Sequence, residues 1–369
     1  MKVMTVVGTR PEVIRLSRVM ARLDESVTHV LVHTGQNWDY RLNGIFFDEM
    51  GLRAPDHVLG VDTSSLGAVL GDTLRKTEEV LRLEKPDAFL VLGDTNSAIS
   101  SVMAKRMRIP VYHMEAGNRC FDENVPEETN RRLVDHIADF NLVYTEHARR
   151  NLLAEGLHPR RVLLTGSPMR EVLDFYRPQI GASDVLTRLG LKKGGYFLVS
   201  AHREENVDPP QRLRDLLDCL LAVRDRWAQP ILVSTHPRTR KRLEALKVPA
   251  DLSAITFSEP FGFHDYINLQ KNARCVLSDS GTISEESSIL GFPAVTLRSS
   301  IERPEALESG SILLTDLRRE SVIAGIVAAE TDQHLTSGPQ DYQSVDCSIR
   351  VRNIILSTSF ENAVWAGLR

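Results

Sequence analysis

No apolar run in the chain approaches the roughly 20 residues that a membrane-spanning helix requires, so no membrane partner is expected. Charge of either sign is also nearly balanced, with a net −4 over 369 residues. Nothing therefore steers the whole chain toward nucleic acid or an anionic surface, and any attraction for phosphate has to be local. Cysteine is scarce. Cys120, Cys219, Cys275 and Cys347 lie scattered without paired spacing, which favours reduced thiols in a cytoplasmic compartment over a disulfide framework or a zinc site. There is no G-x-G-x-x-G, so a bound dinucleotide is not supported, and no low-complexity tract or short repeat occurs. No secretory leader is expected, because the first strand-like run, Lys2–Val7, begins at once.

What the chain does have is a 42% apolar share, ample for the roughly two domains its length allows, and a recurring local pattern. Lys2–Val7 runs into Gly8-Thr9-Arg10-Pro11-Glu12, and Ala88–Leu92 runs into Gly93-Asp94-Thr95-Asn96-Ser97. Val111–Met114 leads to Glu115-Ala116-Gly117, Tyr196–Ser200 to Ala201-His202-Arg203-Glu204-Glu205, and Ile231–Ser234 to Thr235-His236-Pro237-Arg238. Each is a short apolar run closed by small and ionisable residues, followed by helical spacing. In open α/β sheets ligands bind outside the carboxyl ends of the strands, so these clusters are expected to converge on one rim.

The most telling cluster is Asp279-Ser280-Gly281-Thr282-Ile283-Ser284-Glu285-Glu286, after the apolar run Arg274–Leu277. Backbone N–H groups at a helix start favour an anion. Ser280 and Gly281 allow close backbone approach, Thr282 adds a hydroxyl, and Glu285 or Glu286 stands one turn later, where a ribose diol would donate. The segment reads as a cradle for a nucleoside diphosphate; an ordinary capped helix with surface acids is the plainer alternative. Arg10 is the phosphate-facing cation expected of the first loop, since Gly8-Thr9 permits a tight approach and Pro11 suits a first helical turn.

The best domain boundary lies between Pro168 and Gly195, where a polar segment through Pro178, Gly181 and Lys192-Lys193-Gly194-Gly195 separates two sets of strand-then-helix units. The expected architecture is α/β, GT-B-like, with two Rossmann-like domains facing each other across a cleft. The N-terminal domain spans 1–168 and a UDP-binding C-terminal domain 169–347. Residues 348–369 have helical apolar spacing and are expected to pack back on the first domain.

These motifs, together with Thr34-Gly35-Gln36 and Pro126-Glu127-Glu128-Thr129-Asn130-Arg131, resemble in order and over essentially the whole chain the non-hydrolysing UDP-N-acetylglucosamine 2-epimerase family. The resemblance implies the GT-B arrangement, a UDP-2-acetamido sugar substrate, no cofactor and a homodimer. Gln36-Asn37-Trp38-Asp39-Tyr40, Asn118-Arg119-Cys120-Phe121-Asp122, Gly166-Ser167-Pro168-Met169 and Gly281-Thr282-Ile283-Ser284 look closer to the branch that makes UDP-N-acetyl-L-fucosamine from its talosamine epimer. Within the family, Asp94, Glu115 and Glu127 match catalytic positions. Asp94 is assigned as one acid–base, with Glu115 and Glu127 as the other or its proton relay, and at least one of these acids is expected to have a raised pKa so as to hold a proton. His202 is read as a catalytic diphosphate ligand beside Arg203. Arg15, His236, Ser280, Gly281, Thr282 and Glu286 complete the expected UDP and substrate contacts.

Plainer roles exist for several of these residues. Asp94 could cap the helix beginning near Thr95, and Glu127 suits a helical first turn. His113 and Glu115 alternate on a strand and are expected on one face, yet two ligands without a third argue against a metal. Three departures from the UDP-N-acetylglucosamine branch cluster around sugar and phosphate contacts. Arg15 stands where lysine is usual, Glu204 follows Arg203 where a second arginine is common, and Gly281-Thr282 replaces a glycine pair. A GT-B glycosyltransferase, a hydrolysing 2-epimerase and a non-catalytic nucleotide-sugar sensor are the alternative functions.

Overall fold

The computed structural model describes residues 1–35, 45–246, 252–332 and 337–367, so the motif Gln36–Tyr40 lies outside the described residues. The chain folds as two compact units, one made of Met1–Phe175 with Asp341–Arg369 and the other of Tyr176–Gln340.

The first unit is built on a seven-stranded sheet. Its strands are β1 (Lys2–Val7), β2 (Thr28–His33), β3 (His57–Val58), β4 (Ala88–Leu92), β5 (Val111–Ala116), β6 (Phe140–Val143) and β7 (Val162–Leu164). All pair in parallel, in the order β3-β2-β1-β4-β5-β6-β7. A parallel sheet is covered by helices on both faces, so its strands are continuous apolar runs rather than alternating ones; β4 is buried at every residue. Met4, Val6, Phe89, Val91 and Val111 form the centre of one core cluster with Val134 of the helix Pro126–Ile137 and Ala138 just after it. Residues from Cys347 onward return to this unit. The helix Cys347–Thr358 packs on the helix Arg10–Asp24, Tyr112 Oη is 2.7 Å from Thr358 Oγ1, and Trp365 meets Phe140 edge-on.

The second unit repeats the plan with β8 (Phe197–Ser200), β9 (Ile231–Ser234), β10 (Ile255–Ser258), β11 (Cys275–Ser278), β12 (Ala294–Thr296) and β13 (Leu313–Leu314). These are parallel in the order β10-β9-β8-β11-β12-β13. Three short helices, Met169–Phe175, Arg177–Ala182 and Val185–Leu189, occupy the polar stretch between the two sheets in sequence. In both sheets the strand order reverses at one place, between β1 and β4 and between β8 and β11. Such a switch point opens a crevice at the carboxyl ends, because the loops on either side depart in opposite directions.

One expectation about a strand fails. Pairing of β5 with β6 shifts register between Met114 and Ala116, and Glu115 adopts a left-handed φ of 63°. The extra residue of a bulge breaks the two-residue alternation, so spacing no longer puts His113 and Glu115 on a common face.

Candidate active site

At the switch point of the first unit the chain leaves β1 through Gly8, where a Cβ would collide with Thr34 Oγ1 and Ser97. The helix that follows starts at Arg10, and Glu12 folds back over its own N-terminus. The Glu12 carboxylate accepts from the N–H groups of Gly8 (2.5 Å) and Thr9 (2.7 Å) and from the hydroxyls of Thr95 (2.6 Å) and Ser97 (2.5 Å). It thus ties the loop after β1 to the loop after β4. Complete burial pushes this carboxyl above its usual range, against the pull of the Ser97, Thr95, Gly8 and Thr9 donors. The N–H groups of Gly8 and Thr9 are committed to Glu12, and the Arg10 guanidinium lies 5.2 Å from the centre of the Phe46 ring.

Asp94 ends the loop after β4 and is held by the helix Pro126–Ile137. Arg131 places Nη2 2.6 Å and Nε 2.9 Å from Asp94 Oδ2, and Asn130 donates to the Asp94 carbonyl at 2.9 Å. A forked guanidinium of this kind fixes a carboxylate in orientation as well as in charge. Arg131 also pairs with buried Glu128 at 3.1 Å. Burial raises the Glu128 carboxyl, but Cys120, Arg131 and Arg132 outweigh burial and leave it below the usual range. Glu127 sits on the first turn of the same helix, half-buried and one turn before Arg131.

Glu115 is paired with Arg15, whose side chain is almost wholly buried. A Cβ built on Gly93 would stand 3.6 Å from Glu115 Oε2, so this carboxylate overlies the residue preceding Asp94. Arg15, a residue of the expected UDP and substrate contacts that stands where lysine is usual, is therefore joined to a catalytic candidate. A left-handed φ at a non-glycine residue costs on the order of 1–3 kcal/mol and persists where the surroundings over-determine it. Here the bulge and Arg15 do so.

In the second unit Asp279 is fully buried and accepts from the backbone N–H groups of His202 (3.0 and 3.1 Å) and Arg203 (3.0 Å) and from Asn206 Nδ2 (3.2 Å). Its Oδ1 is also 3.2 Å from His202 Nδ1. Asp279 is thus the tie between the loops after β8 and β11. Ser280 Oγ lies 3.0 Å from Thr282 Oγ1 and accepts from the Thr282 N–H at 3.3 Å, just ahead of the helix Ile283–Leu290. The Arg203 guanidinium reaches to 3.5 Å from where a Cβ of Gly281 would stand. His236 caps the helix Pro237–Ala245 by accepting from the Arg238 N–H at 3.3 Å, with its ring 6.3 Å from that of His202.

The two acids on the helix after the cradle separate cleanly. Glu285 is fully buried and paired with Arg303 at 3.1 Å, whereas Glu286 accepts from Gln270 Nε2 at 2.6 Å. Glu204, the negative charge that replaces an expected arginine, is answered by Arg238 at 2.5 Å. Sequence reasoning missed the segment after β12. There Arg298 forms a two-pronged pair with Glu302, which also lies 3.5 Å from Arg203. The run Ala294–Leu297 closed by Arg298-Ser299-Ser300 repeats the pattern of the other strand ends and would have exposed it. Among the described residues no group of three or more His, Cys, Asp or Glu side chains could hold a metal ion.

Comparison with known proteins gives this geometry a family. The family model for UDP-N-acetylglucosamine 2-epimerase matches residues 21–356. The chain is 35% identical over 335 residues to the UDP-N-acetylglucosamine 2-epimerase of Methanocaldococcus jannaschii, covering 88% of this chain and 91% of the relative. It is 33% identical over 329 residues to the UDP-2,3-diacetamido-2,3-dideoxy-D-glucuronate 2-epimerase of Pseudomonas aeruginosa, covering 88% and 90%. Among solved structures, the UDP-N-acetylglucosamine 2-epimerase of Rickettsia bellii superposes with a TM-score of 0.90 at 43% identity over 98% of both chains. The M. jannaschii enzyme in complex with UDP-GlcNAc and UDP gives 0.91 at 33% identity over 97% of this chain and 100% of that one. A glycosyltransferase of Rickettsia africae, 12% identical with a TM-score of 0.57 over 98% of this chain and 99% of that one, shares the fold alone. The chain therefore belongs to the non-hydrolysing UDP-N-acetylglucosamine 2-epimerase family and is an isomerase with a GT-B-like fold.

Proposed function

We propose that this chain inverts C2 of a UDP-2-acetamido sugar by eliminating UDP and adding it back. The C2 proton has no neighbouring carbonyl to acidify it. As the C1–O bond to UDP breaks, positive charge at C1 acidifies that proton, and a carboxylate removes it, leaving a glycal and the UDP anion. Re-addition forms the C1–O bond again while a carboxylic acid delivers a proton to the opposite face of C2. The proton work is assigned to Asp94 and Glu115, with Glu127 as relay or second acid. UDP is assigned to His202, Arg203, His236, Ser280, Gly281, Thr282 and Glu286, with Arg10 as a further phosphate contact. The observation that carries this reading is Glu115 in its left-handed bulge, locked on Arg15 and overlying Gly93 beside Asp94. A strained acid held next to a second acid suits proton transfer.

The finer reading is that the substrate is UDP-2-acetamido-2,6-dideoxy-L-talose, giving UDP-N-acetyl-L-fucosamine, with UDP-GlcNAc to UDP-ManNAc as the alternative. It is supported by the branch-like motifs, including Asn118–Asp122 and Gly281-Thr282. Relatives of nearly equal identity are named for different sugars, so overall similarity does not choose between them. A homodimer is the assembly proposed, to be checked by light scattering. The deciding experiment is an NMR time course in deuterated water with both substrates in parallel. Product carrying deuterium at C2 and faster turnover of the talose-type sugar are expected. Deuterium-free product without glycal or free UDP would eliminate the proposed pathway, and the reverse order of rates would return the chain to the UDP-GlcNAc reaction.

A further inference from the structure

Beneath the two carboxylates lies a buried pair that the proposed chemistry does not itself use. The side chains of His113 and Asp135 are completely excluded from solvent, with His113 Nδ1 2.9 Å from Asp135 Oδ1, a charge–imidazole contact outside hydrogen-bond geometry. His113 Nε2 is 2.7 Å from the Gly93 carbonyl oxygen; a carbonyl only accepts, so Nε2 carries a proton and donates. Asp135 accepts from the Gly117 N–H, 3.2 Å from each of its oxygens, and from Arg119 Nη1 at 2.7 Å. Gly93 immediately precedes Asp94, and Gly117 lies two residues beyond Glu115. Both are left-handed, with φ of 73° and 82°, and a Cβ at Gly117 would collide with the Ala148 carbonyl. One buried pair thus grips the main chain next to each catalytic candidate, while the same helix presents Asn130 and Arg131 to Asp94.

We propose that the His113–Asp135 pair is a positioning device that sets the separation of the Asp94 and Glu115 carboxylates, and through it the partition of the glycal between re-protonation and escape. This rests on the elimination reading above. Both contacts end on peptide groups rather than side chains, so they fix backbone positions. Backbone polar groups buried with a partner resist displacement, because moving away leaves them unsatisfied. Apart from Arg10, the UDP contacts are assigned to the other unit, so the loss should fall on turnover and not on binding.

The test compares the full-length chain with His113→Leu, His113→Gln and Asp135→Asn. Glutamine retains an amide donor that can reach the Gly93 carbonyl; leucine retains none. Thermal melts and calorimetry with UDP establish that each variant is folded. For His113→Leu, kcat is expected to fall on the order of a hundredfold, the scale of an ångström-sized misplacement, with KM within about threefold. Release of UDP and glycal per epimer formed should rise. His113→Gln should recover most of kcat and the wild-type partition. Wild-type kcat and partition in His113→Leu, equal impairment of the leucine and glutamine variants, or a loss confined to KM would each overturn the proposal. Should His113→Leu not fold, Asp135→Asn is expected to shift the partition while His113→Gln does not, and equal partition in the two overturns it. A wild-type chain that turns over no UDP-2-acetamido sugar removes the elimination reading, and this proposal with it.

Discussion

Replacing Arg119 with methionine is expected to cost the first unit about 3–4 kcal/mol at neutral pH. The Arg119 side chain is fully buried, with Nη1 2.7 Å from Asp135 Oδ2 and with Nε and Nη2 2.8 and 2.7 Å from the two oxygens of Glu155. Methionine fills much of the apolar stem and removes the charge. Stripping one partner from a buried ion pair costs about 3–5 kcal/mol, and the lower end applies because Asp135 keeps the Gly117 N–H and His113. Glu155 is 24% exposed and keeps His136, so its share is about 1 kcal/mol after solvent screening. For a unit of roughly two hundred residues this should lower the melting temperature by about 6–16 °C in calorimetry.

The same variant makes a distinct claim about pH. Arg119 above all draws the Glu155 carboxyl from 4.5 down to about 2. A carboxyl depressed in the folded state contributes stability that is complete above its unfolded pKa and lost as pH falls through the folded one. Wild type should therefore lose this increment between about pH 4.5 and pH 2, while Arg119→Met, in which only His136 still lowers Glu155, should show a shallower acid limb. A melting temperature within about 3 °C of wild type at neutral pH, or an acid limb of unchanged slope, would refute the reasoning.

Asp94→Asn is expected to abolish epimerisation while calorimetry shows UDP affinity within a few-fold of wild type; loss of binding together with activity would remove Asp94 from the proton-transfer role. Glu286→Ala is expected to raise KM with kcat little changed, and Gln270→Leu to do so less, since Gln270 holds the acid proposed for the ribose. Unchanged KM in Glu286→Ala would make that acid purely structural.

Several site features could not be seen from the chain order. Asp94, Glu115 and the Ser280–Thr282 cradle stand at the ends of apolar runs, and that position together with the family resemblance marks them. Their partners carry no comparable mark. Arg15 and Glu115 are 100 residues apart, His202 and Asp279 are 77 apart, and Arg131 and Asp94 are 37 apart. Which arginine meets which acid depends on strand order, because that order decides which terminal loops and helices come within ion-pair reach. In the sequence Glu12 is only the last residue of the motif Gly8-Thr9-Arg10-Pro11-Glu12. Its four donors come from loops after two different strands, so its role as a clamp appears only once β1 and β4 lie side by side. The bulge at Glu115 was invisible for a related reason: alternation is a local rule, and the register shift arises from pairing with β6.

By itself the sequence determined the strand-then-helix units, the parallel sheets and the loops that carry chemistry. These follow from hydrophobic spacing and turn residues, whose effects act over a few neighbours along the chain. Only the tertiary structure decided that the Asp279 carboxylate is spent tying two loops together, that Glu285 is locked on Arg303 while Glu286 meets Gln270, and that a fully buried histidine and aspartate grip the backbone beside both catalytic candidates. Those outcomes depend on removing charged groups from water. Once buried, such a group must find a partner wherever the packed sheets and helices place one, however distant it is in sequence.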